Sequence, residues 1–145
     1  MKYDKFSPVY MLKLSKKTEY AFMAVKYMAL KNGGNASTAR EISDKYNIPF
    51  EFVAKVLQKL SKKKLIDSFQ GVKGGYLLAK HPSEIALLDV ILAMEPHYKL
   101  TKCMKNEGDY HDCSHWDCCQ IRDPLAKVQM EIDNLFQRTK LSNIL

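Results

Sequence analysis

The chain has 145 residues, a hydrophobic content of 46%, a charged content of 27% and a formal net charge of +7. This length suffices for one domain with its own hydrophobic core, and the positive charge suits a polyanionic partner. No apolar run reaches the roughly 18–20 residues of a membrane span, and the charged N-terminus lacks the apolar centre of a signal peptide. We therefore expect a cytoplasmic protein with no membrane partner. In that compartment clustered cysteines more often bind metal or undergo redox chemistry than form structural disulfides.

The first predicted elements are a lead-in over residues 1–14 and a helix that begins at Ser15 and ends at the sequence NGGN. Apolar and aromatic residues recur at helical spacing along this helix. They form one predicted face of Tyr20, Ala24, Tyr27 and Met28, flanked by Ala21 and Val25. Such a face indicates a helix that packs against a core.

A pair of helices joined by a tight turn is predicted next. Thr38 and Glu41 have the spacing of a capping box, which starts a helix by reciprocal side-chain and backbone hydrogen bonds. Asn47 and Pro49 interrupt this helix, and Pro49 opens the second one, because proline is tolerated in a first turn. The inward positions of the second helix are Val53, Val56, Leu57 and Leu60.

Lysines and a glycine-rich hairpin follow the turn. Residues 55–64, KVLQKLSKKK, contain five lysines, and two strand-like runs over residues 65–69 and 75–79 flank the sequence QGVKG. A helix-turn-helix followed by a hairpin is typical of a winged helix-turn-helix, whose second helix enters the major groove of DNA. We therefore expect a DNA-binding domain over residues 15–82.

The remaining residues, 83–145, are predicted to form a connecting helix, a cysteine-rich loop and a long helix. The connecting helix is expected to be capped by Ser83 and to stop before Pro96, the loop spans residues 103–119, and the long helix covers about 124–140. Its apolar stripe consists of Leu125, Val128, Ile132 and Leu135, with Met130 alongside. This stripe suits either the chain's own core or a partner. The predicted fold is mainly α with a small β-hairpin wing.

The segment EISDKYNIPFEFVAKVLQKLSKKKLIDSFQGVKGGYLLAKHPSEIALLDVILAME resembles the core of the Rrf-two family of bacterial winged-helix transcription regulators. The resemblance extends from about Leu14 to the C-terminus, and its most specific pieces are EYA, KLIDSFQGVKGGYLLA and KLSNIL. It implies a transcriptional repressor. It also implies a homodimer, joined by the long C-terminal helices, that reads a near-palindromic operator in double-stranded DNA. An enzyme that uses a Cys–His pair is not expected, because the sequence has no recognisable nucleophile motif or oxyanion arrangement.

The resemblance also assigns candidate DNA contacts, at the start of the second helix and in the wing. Gln70 stands where the family often has arginine, and Ala54 stands where some members have an acidic residue, so the operator sequence does not follow from the resemblance. The predicted DNA-contacting residues are Thr38, Phe50, Glu51, Phe52, Lys55, Lys59, Gln70 and Lys73.

The cysteine-rich loop contains all four cysteines of the chain. Family members with three cysteines here hold an iron–sulfur cluster, for which thiolates are suitable ligands. The resemblance implies Cys103, Cys113 and Cys119 as ligands of a two-iron or four-iron cluster, with Cys118 as a spare thiol. The gap between the first two is longer than is usual in the family. That departure leaves the cluster type open.

A fourth ligand is needed. Some relatives have a histidine three residues past the third cysteine, but Arg122 stands there, and arginine cannot serve. Other relatives use a carboxylate near the start of the first helix, where this chain has Glu19. The alternates are Cys118, His111 and His115. If Glu19 ligates, it links the loop to the DNA-binding domain.

Two further hypotheses remain open from the sequence. Zinc would accept three cysteines together with His115. A cluster-free thiol sensor would use Cys118 or Cys119 through a disulfide or nitrosation. In each case the predicted function is a DNA-binding regulator. The signal for the cluster-based form would be redox state, nitric oxide or iron–sulfur status.

Overall fold

The computed structural model describes residues 13–31, 34–104 and 113–145. Their elements confirm a mostly helical chain with a two-stranded antiparallel hairpin. No helix within these ranges is both long and apolar enough to cross a membrane. In chain order the helices and strands are α1 (Lys16–Leu30), α2 (Ala39–Tyr46), α3 (Phe50–Lys62), β1 (Ile66–Phe69), β2 (Gly75–Leu78), α4 (Leu87–Met94) and α5 (Arg122–Arg138).

Helix α1 begins after Ser15, whose side chain accepts a hydrogen bond from the backbone N–H of Thr18. Its buried apolar residues are Ala21, Ala24, Val25 and Met28, whereas the predicted core residues Tyr20 and Tyr27 are only half-buried. The buried face of α1 is therefore centred closer to Ala21 and Val25 than predicted, and the tyrosines lie at its edge. Small residues lie innermost because they allow α1 to approach α3 and α4, against which it packs.

The helix-turn-helix forms as predicted, except that Pro49 is the cap residue before α3 and not part of its first turn. The backbone N–H of Glu41 donates to Thr38 Oγ1, and the N–H of Thr38 donates to Glu41 Oε2, each at 3.1 Å, which completes the capping box. Asn47 ends α2 in the left-handed conformation at φ 51°, and the Ser43 hydroxyl donates to the carbonyl of Ile48 at 2.6 Å. The four predicted inward residues of α3, Val53, Val56, Leu57 and Leu60, are buried.

The wing pairs Ile66 with Leu78 and Phe69 with Gly75. At its tip the N–H of Gly74 donates to the carbonyl of Gly71 at 2.9 Å. Tyr76 extends the hairpin, because its backbone N–H and C=O each form a 2.8 Å hydrogen bond with Ser37. The segment before α2 is thereby fixed to the wing.

This pairing requires glycine at position 75. Gly75 has φ +144°, and an added Cβ would lie 2.7 Å from the carbonyl oxygen of Ser37. At Gly71, with φ +104°, the same Cβ would meet no atom within 4 Å. We expect Gly75→Ala to lower the free energy of unfolding by about 3 kcal/mol, against about 1–2 kcal/mol for Gly71→Ala, where only backbone strain arises. Denaturant unfolding measures both, and equal losses would contradict the close contact with Ser37.

The start of α4 differs from the prediction. Ser83 does not cap it, and the helix begins at Leu87 after the cap residue Ala86. The reason is tertiary: the Leu87 N–H donates to the Thr139 carbonyl at 2.9 Å and the Leu141 N–H donates to the Ile85 carbonyl at 2.8 Å. These bonds hold the chain before α4 in an extended conformation beside the residues that follow α5.

Helix α5 begins at Arg122, two residues before the predicted start. Pro124 therefore lies in its first turn, where its missing N–H has no intrahelical partner to lose. Beyond the helix, Leu141 is fully buried and anchors the C-terminal segment in the core. The stability of the C-terminal half thus depends on contacts between α4, α5 and this anchor.

Candidate nucleic-acid interface and cysteine segment

The outer face of α3 is exposed and combines aromatic rings with unpaired cations. Phe50 and Phe52 are 42% and 53% exposed. Lys55 and Lys59 are exposed, and neither side chain has a hydrogen bond or ion pair with any residue that the structure describes. Charges left free in this way can pair with phosphates without breaking an internal ion pair. Glu51, also exposed, is the acidic residue in the first turn of α3.

The start of α2 contributes a cation that the sequence reasoning missed. The guanidinium carbon of Arg40 lies 4.8 Å from the centre of the Phe50 ring, a cation–π distance. Thr38, half-buried at the cap of α2, accepts a hydrogen bond through its hydroxyl oxygen and keeps that hydroxyl's proton as a donor. The sequence signal that could have indicated this contact is a basic residue in the first turn of α2.

The wing tip presents its predicted residues to solvent. The predicted residues Gln70 and Lys73 are exposed, and Val72, which was not predicted, is fully so. The turn between Gly71 and Gly74 carries these side chains outward from the two strands. Every predicted DNA-contacting residue is therefore accessible, with Thr38 the only half-buried one of that set.

The four cysteines are free thiols in different surroundings. Cys103 is half-buried in a short 3-10 turn, and its Sγ lies 3.0 Å from Thr101 Oγ1. Cys113 and Cys118 are exposed, and the Cys118 thiol donates to the carbonyl of His115 at 3.7 Å. Cys119 is half-buried and extended, whereas Cys118 ends a 3-10 turn. The adjacent thiols thus differ in backbone conformation and exposure.

The candidate ligands do not converge in the described part of the single chain. Across residues 13–31, 34–104 and 113–145, no three His, Cys, Asp or Glu side chains lie close enough together to hold a metal ion. His111 lies outside the described residues. Glu19, in the first turn of α1, forms a 2.7 Å ion pair with Lys16, and its side chain is 36% exposed. Glu19 is therefore accessible at the end of the helix that packs on α3.

Arg122 occupies the position where some relatives have a histidine ligand, and the structure gives it another role. Its guanidinium carbon lies 4.3 Å from the centre of the Trp116 ring, and Nη1 donates to the Trp116 carbonyl at 3.3 Å. Arg122 also pairs with Asp123 at 3.2 Å. Because Arg122 is the first residue of α5, these contacts fix the turn that contains Cys118 to the start of that helix.

A second anchor lies on the other side of the cysteine segment. Buried Gln129 accepts a hydrogen bond from the backbone N–H of Leu100 at 2.8 Å and donates to Asp133 at 2.7 Å. Asp133 also accepts from the Tyr98 hydroxyl and from Lys99 Nζ at 3.1 Å. We call this network the α5 clamp. It fixes to α5 the residues immediately before Cys103.

Electrostatics within the α5 clamp favour the ionised form of the Asp133 carboxyl. Burial alone would raise the pKa of Asp133, but hydrogen bonds from Tyr98, Gln129 and Lys99 outweigh burial and lower it below its usual value. Burial, with the Asp133 carboxylate beside it, raises the pKa of the Tyr98 hydroxyl. Because the folded-state pKa of Asp133 is lowered, its contribution is present at neutral pH and is lost only as the pH falls through that lowered value.

Comparison with known proteins agrees with this architecture. Residues 14–145 match the model of the Rrf2 family, described as an iron-dependent transcriptional regulator. The chain is 31% identical over 117 residues to the HTH-type transcriptional regulator NsrR of Shouchella clausii, which covers 81% of this chain and 77% of that protein. It is 29% identical over 136 residues to the HTH-type transcriptional regulator IscR of Sodalis glossinidius, covering 91% and 80%.

The fold is also similar to that of CymR, the global cysteine regulator of B. subtilis, with a TM-score of 0.70 over 92% of this chain and 95% of that one. At 20% sequence identity this likeness concerns the fold alone. A helix-turn-helix with an exposed second helix and a hairpin wing defines the class of winged-helix transcriptional regulators. This chain belongs to the Rrf2 family of that class, as the sequence resemblance predicted. Its relatives are regulators rather than enzymes.

Proposed function

We propose that this chain is a homodimeric repressor that binds a near-palindromic operator and responds to redox state, nitric oxide or iron–sulfur status through its cysteine segment. The observation that carries the proposal is the pairing of two features in one chain. One is the exposed, unpaired cationic face of α3. The other is the set of free thiols anchored to α5 on both sides.

DNA binding through α3 follows from how the helix is held. Val53, Val56 and Leu57 fix one face in the core, so Phe52, Lys55 and Lys59 remain on the outside. In a winged helix-turn-helix this outer face enters the major groove of DNA, and the wing reaches the adjacent DNA backbone. Lysines supply sequence-independent affinity, and side chains at the start of the helix supply base contacts.

Dimerisation is supported by an apolar seam along α5. Ile121, Val128 and Leu135 recur at every seventh position and are 63%, 48% and 46% exposed. Leu125 and Ile132, between them, are half-buried. Alternating steps of four and three residues are the spacing of a coiled-coil seam, which buries its apolar side chains against a second helix. The seam would join two copies of the chain. Each copy would then direct its α3 to one half-site of the operator.

An iron–sulfur cluster fits the donor set of the cysteine segment. The three proposed ligands, Cys103, Cys113 and Cys119, are free thiols, and none is enclosed in the core. Soft thiolates are the ligands that such clusters require, and the cluster supplies reactivity towards oxidants and nitric oxide when bound. Cys118 is proposed as a non-ligand because its thiol is directed to the His115 carbonyl and because the adjacent Cys119 has a different backbone conformation.

Glu19 is the proposed fourth ligand and the link to DNA. It lies on α1, which packs against α3 and α4, so a bond at its carboxylate would connect the cysteine segment to the helix behind the reading face. The carboxylate would exchange its Lys16 partner for the ligand bond. His115, exposed beside Cys118, and His111 are the alternates. A zinc site or a cluster-free thiol sensor would use the same cysteines without requiring Glu19.

DNA binding is tested by salt titration with matched lysine variants. We expect Lys55→Ala/Lys59→Ala to weaken binding to a random-sequence duplex at least about tenfold and to reduce the slope of log affinity against log salt by about 1 per lysine. Lys26→Ala is the control, because Lys26 Nζ bonds the Ile144 carbonyl at 3.0 Å and lies on α1. Fluorescence anisotropy measures both quantities. An affinity indifferent to salt, or equal losses in the control, would contradict the proposed interface.

A further inference from the structure

A cavity of about 500 Å³ lies where α1, α3 and the end of α4 meet. Its size falls within the range of small-molecule sites. Tyr20, Phe52, Val56 and Met94 contribute its apolar surface, of which Val56 and Met94 are 4% and 1% exposed. Four lysine side chains also line it, Lys16 and Lys17 from α1 and Lys55 and Lys59 from α3.

The lysines are not equivalent. Lys16 pairs with Glu19 at 2.7 Å, and Lys17 is 3.4 Å from Glu95. Lys55 and Lys59 have no such partner among the described residues. The cavity lining therefore carries an excess of positive charge beside an apolar floor. An inorganic anion would satisfy the charge and leave the floor in water, whereas an apolar molecule would fill the floor and leave the charge unused.

We infer that this cavity binds a small amphipathic carboxylate, with its apolar body against Tyr20, Phe52 and Met94 and its carboxylate among the lysines. The occupant is a free small molecule and not a lipid surface, because the buried residues Val56 and Met94 form the floor of a concavity rather than a protruding patch. Lys55 and Lys59 also belong to the proposed DNA interface. Occupancy would therefore compete with DNA for the same two charges.

Octanoate is a suitable probe, measured by equilibrium dialysis below its micelle concentration with the whole chain. We expect saturable binding of octanoate, at least about fivefold weaker binding of octanol and no binding of acetate. Octanol lacks the carboxylate, and acetate lacks the apolar chain. Lys16→Gln/Lys17→Gln should weaken octanoate binding about fivefold. The control Lys62→Gln/Lys63→Gln, on exposed lysines at the C-terminal end of α3 that do not line the cavity, should leave octanoate binding unchanged.

The competition with DNA rests on the proposed function, but the binding does not. Octanoate should lower the DNA affinity of the unaltered chain more than that of Lys16→Gln/Lys17→Gln. A chain that binds octanoate but no DNA would refute the proposed function and leave the cavity assignment standing. Several outcomes would overturn the assignment: equal binding of acetate, no difference between the two lysine pairs, or binding to phosphatidylglycerol vesicles without binding of free octanoate.

Discussion

Cys103→Ala, Cys113→Ala and Cys119→Ala are each expected to remove the visible absorbance of the anaerobically purified protein, whereas Cys118→Ala is expected to retain it. Loss of a thiolate leaves an iron atom without a ligand, and a cluster with an open site is lost rapidly. Cys118 is the matched control because it is adjacent to Cys119, equally a free thiol and exposed. Absorbance together with iron and acid-labile sulfide content measures the effect.

The same series distinguishes the alternatives. If Cys118→Ala is the damaging change and Cys119→Ala is silent, the ligand register is shifted by one residue. A colourless protein that contains zinc, and loses it in the same three variants and in His115→Ala, would establish the zinc site instead. A colourless protein without metal whose DNA affinity depends on thiol oxidation would establish the thiol sensor.

Val128→Glu is expected to convert the proposed dimer to a monomer and to reduce operator affinity at least about 100-fold. Val128 lies at the centre of the α5 seam and is 48% exposed in the single chain, so the change affects the partner more than the fold. A carboxylate buried between two helices has no compensating charge from its symmetry mate. A monomer reaches only one half-site and loses the gain in affinity that comes from linking two.

Lys127→Glu is the control for Val128→Glu, because it introduces the same side chain one position away on exposed α5 surface outside the seam. Sedimentation equilibrium measures the oligomeric state, and DNA binding is measured on the same samples. A Val128→Glu protein that stays dimeric, or a monomer that binds the operator as tightly as the unaltered chain, would contradict the proposed seam.

The N-terminal half could be predicted from sequence because its signals are local. The capping box at Thr38, the proline at position 49 and the spacing of the buried residues of α3 each act within a few residues. The glycines of the wing are equally local, although the need for Gly75 to accommodate the Ser37 carbonyl was not visible. Tertiary contacts decided where local patterns were ambiguous. The rotation of the α1 face towards Ala21 is one such case.

Several features of the C-terminal half could not be predicted from local sequence, because they depend on contacts between residues that are distant in the chain. Ser83 is a good helix cap by type, but it lies in a turn over residues 82–84, with its hydroxyl 2.7 Å from His81 Nδ1. Pairing of residues 85–86 with the segment after α5 then delays the start of the helix to Leu87. Gln129 was not singled out from the sequence, and its role appears only with the Leu100 backbone beside it. Arg122 was recognised as unable to ligate, but its stacking on Trp116 required the structure. The ligand set itself stays a prediction from the family resemblance.

The proposed regulatory role of the cysteine segment is tested most directly by operator affinity before and after removal of the proposed cluster. The operator would be recovered by selection from random duplexes, and one anaerobic preparation would be divided, with half dialysed against an iron chelator. We predict at least about a tenfold difference in affinity between the halves, as coupling between two sites in one protein commonly produces. Glu19→Ala should lie closer to the chelated sample before any treatment. Equal affinities in the two halves would contradict a cluster that controls DNA binding.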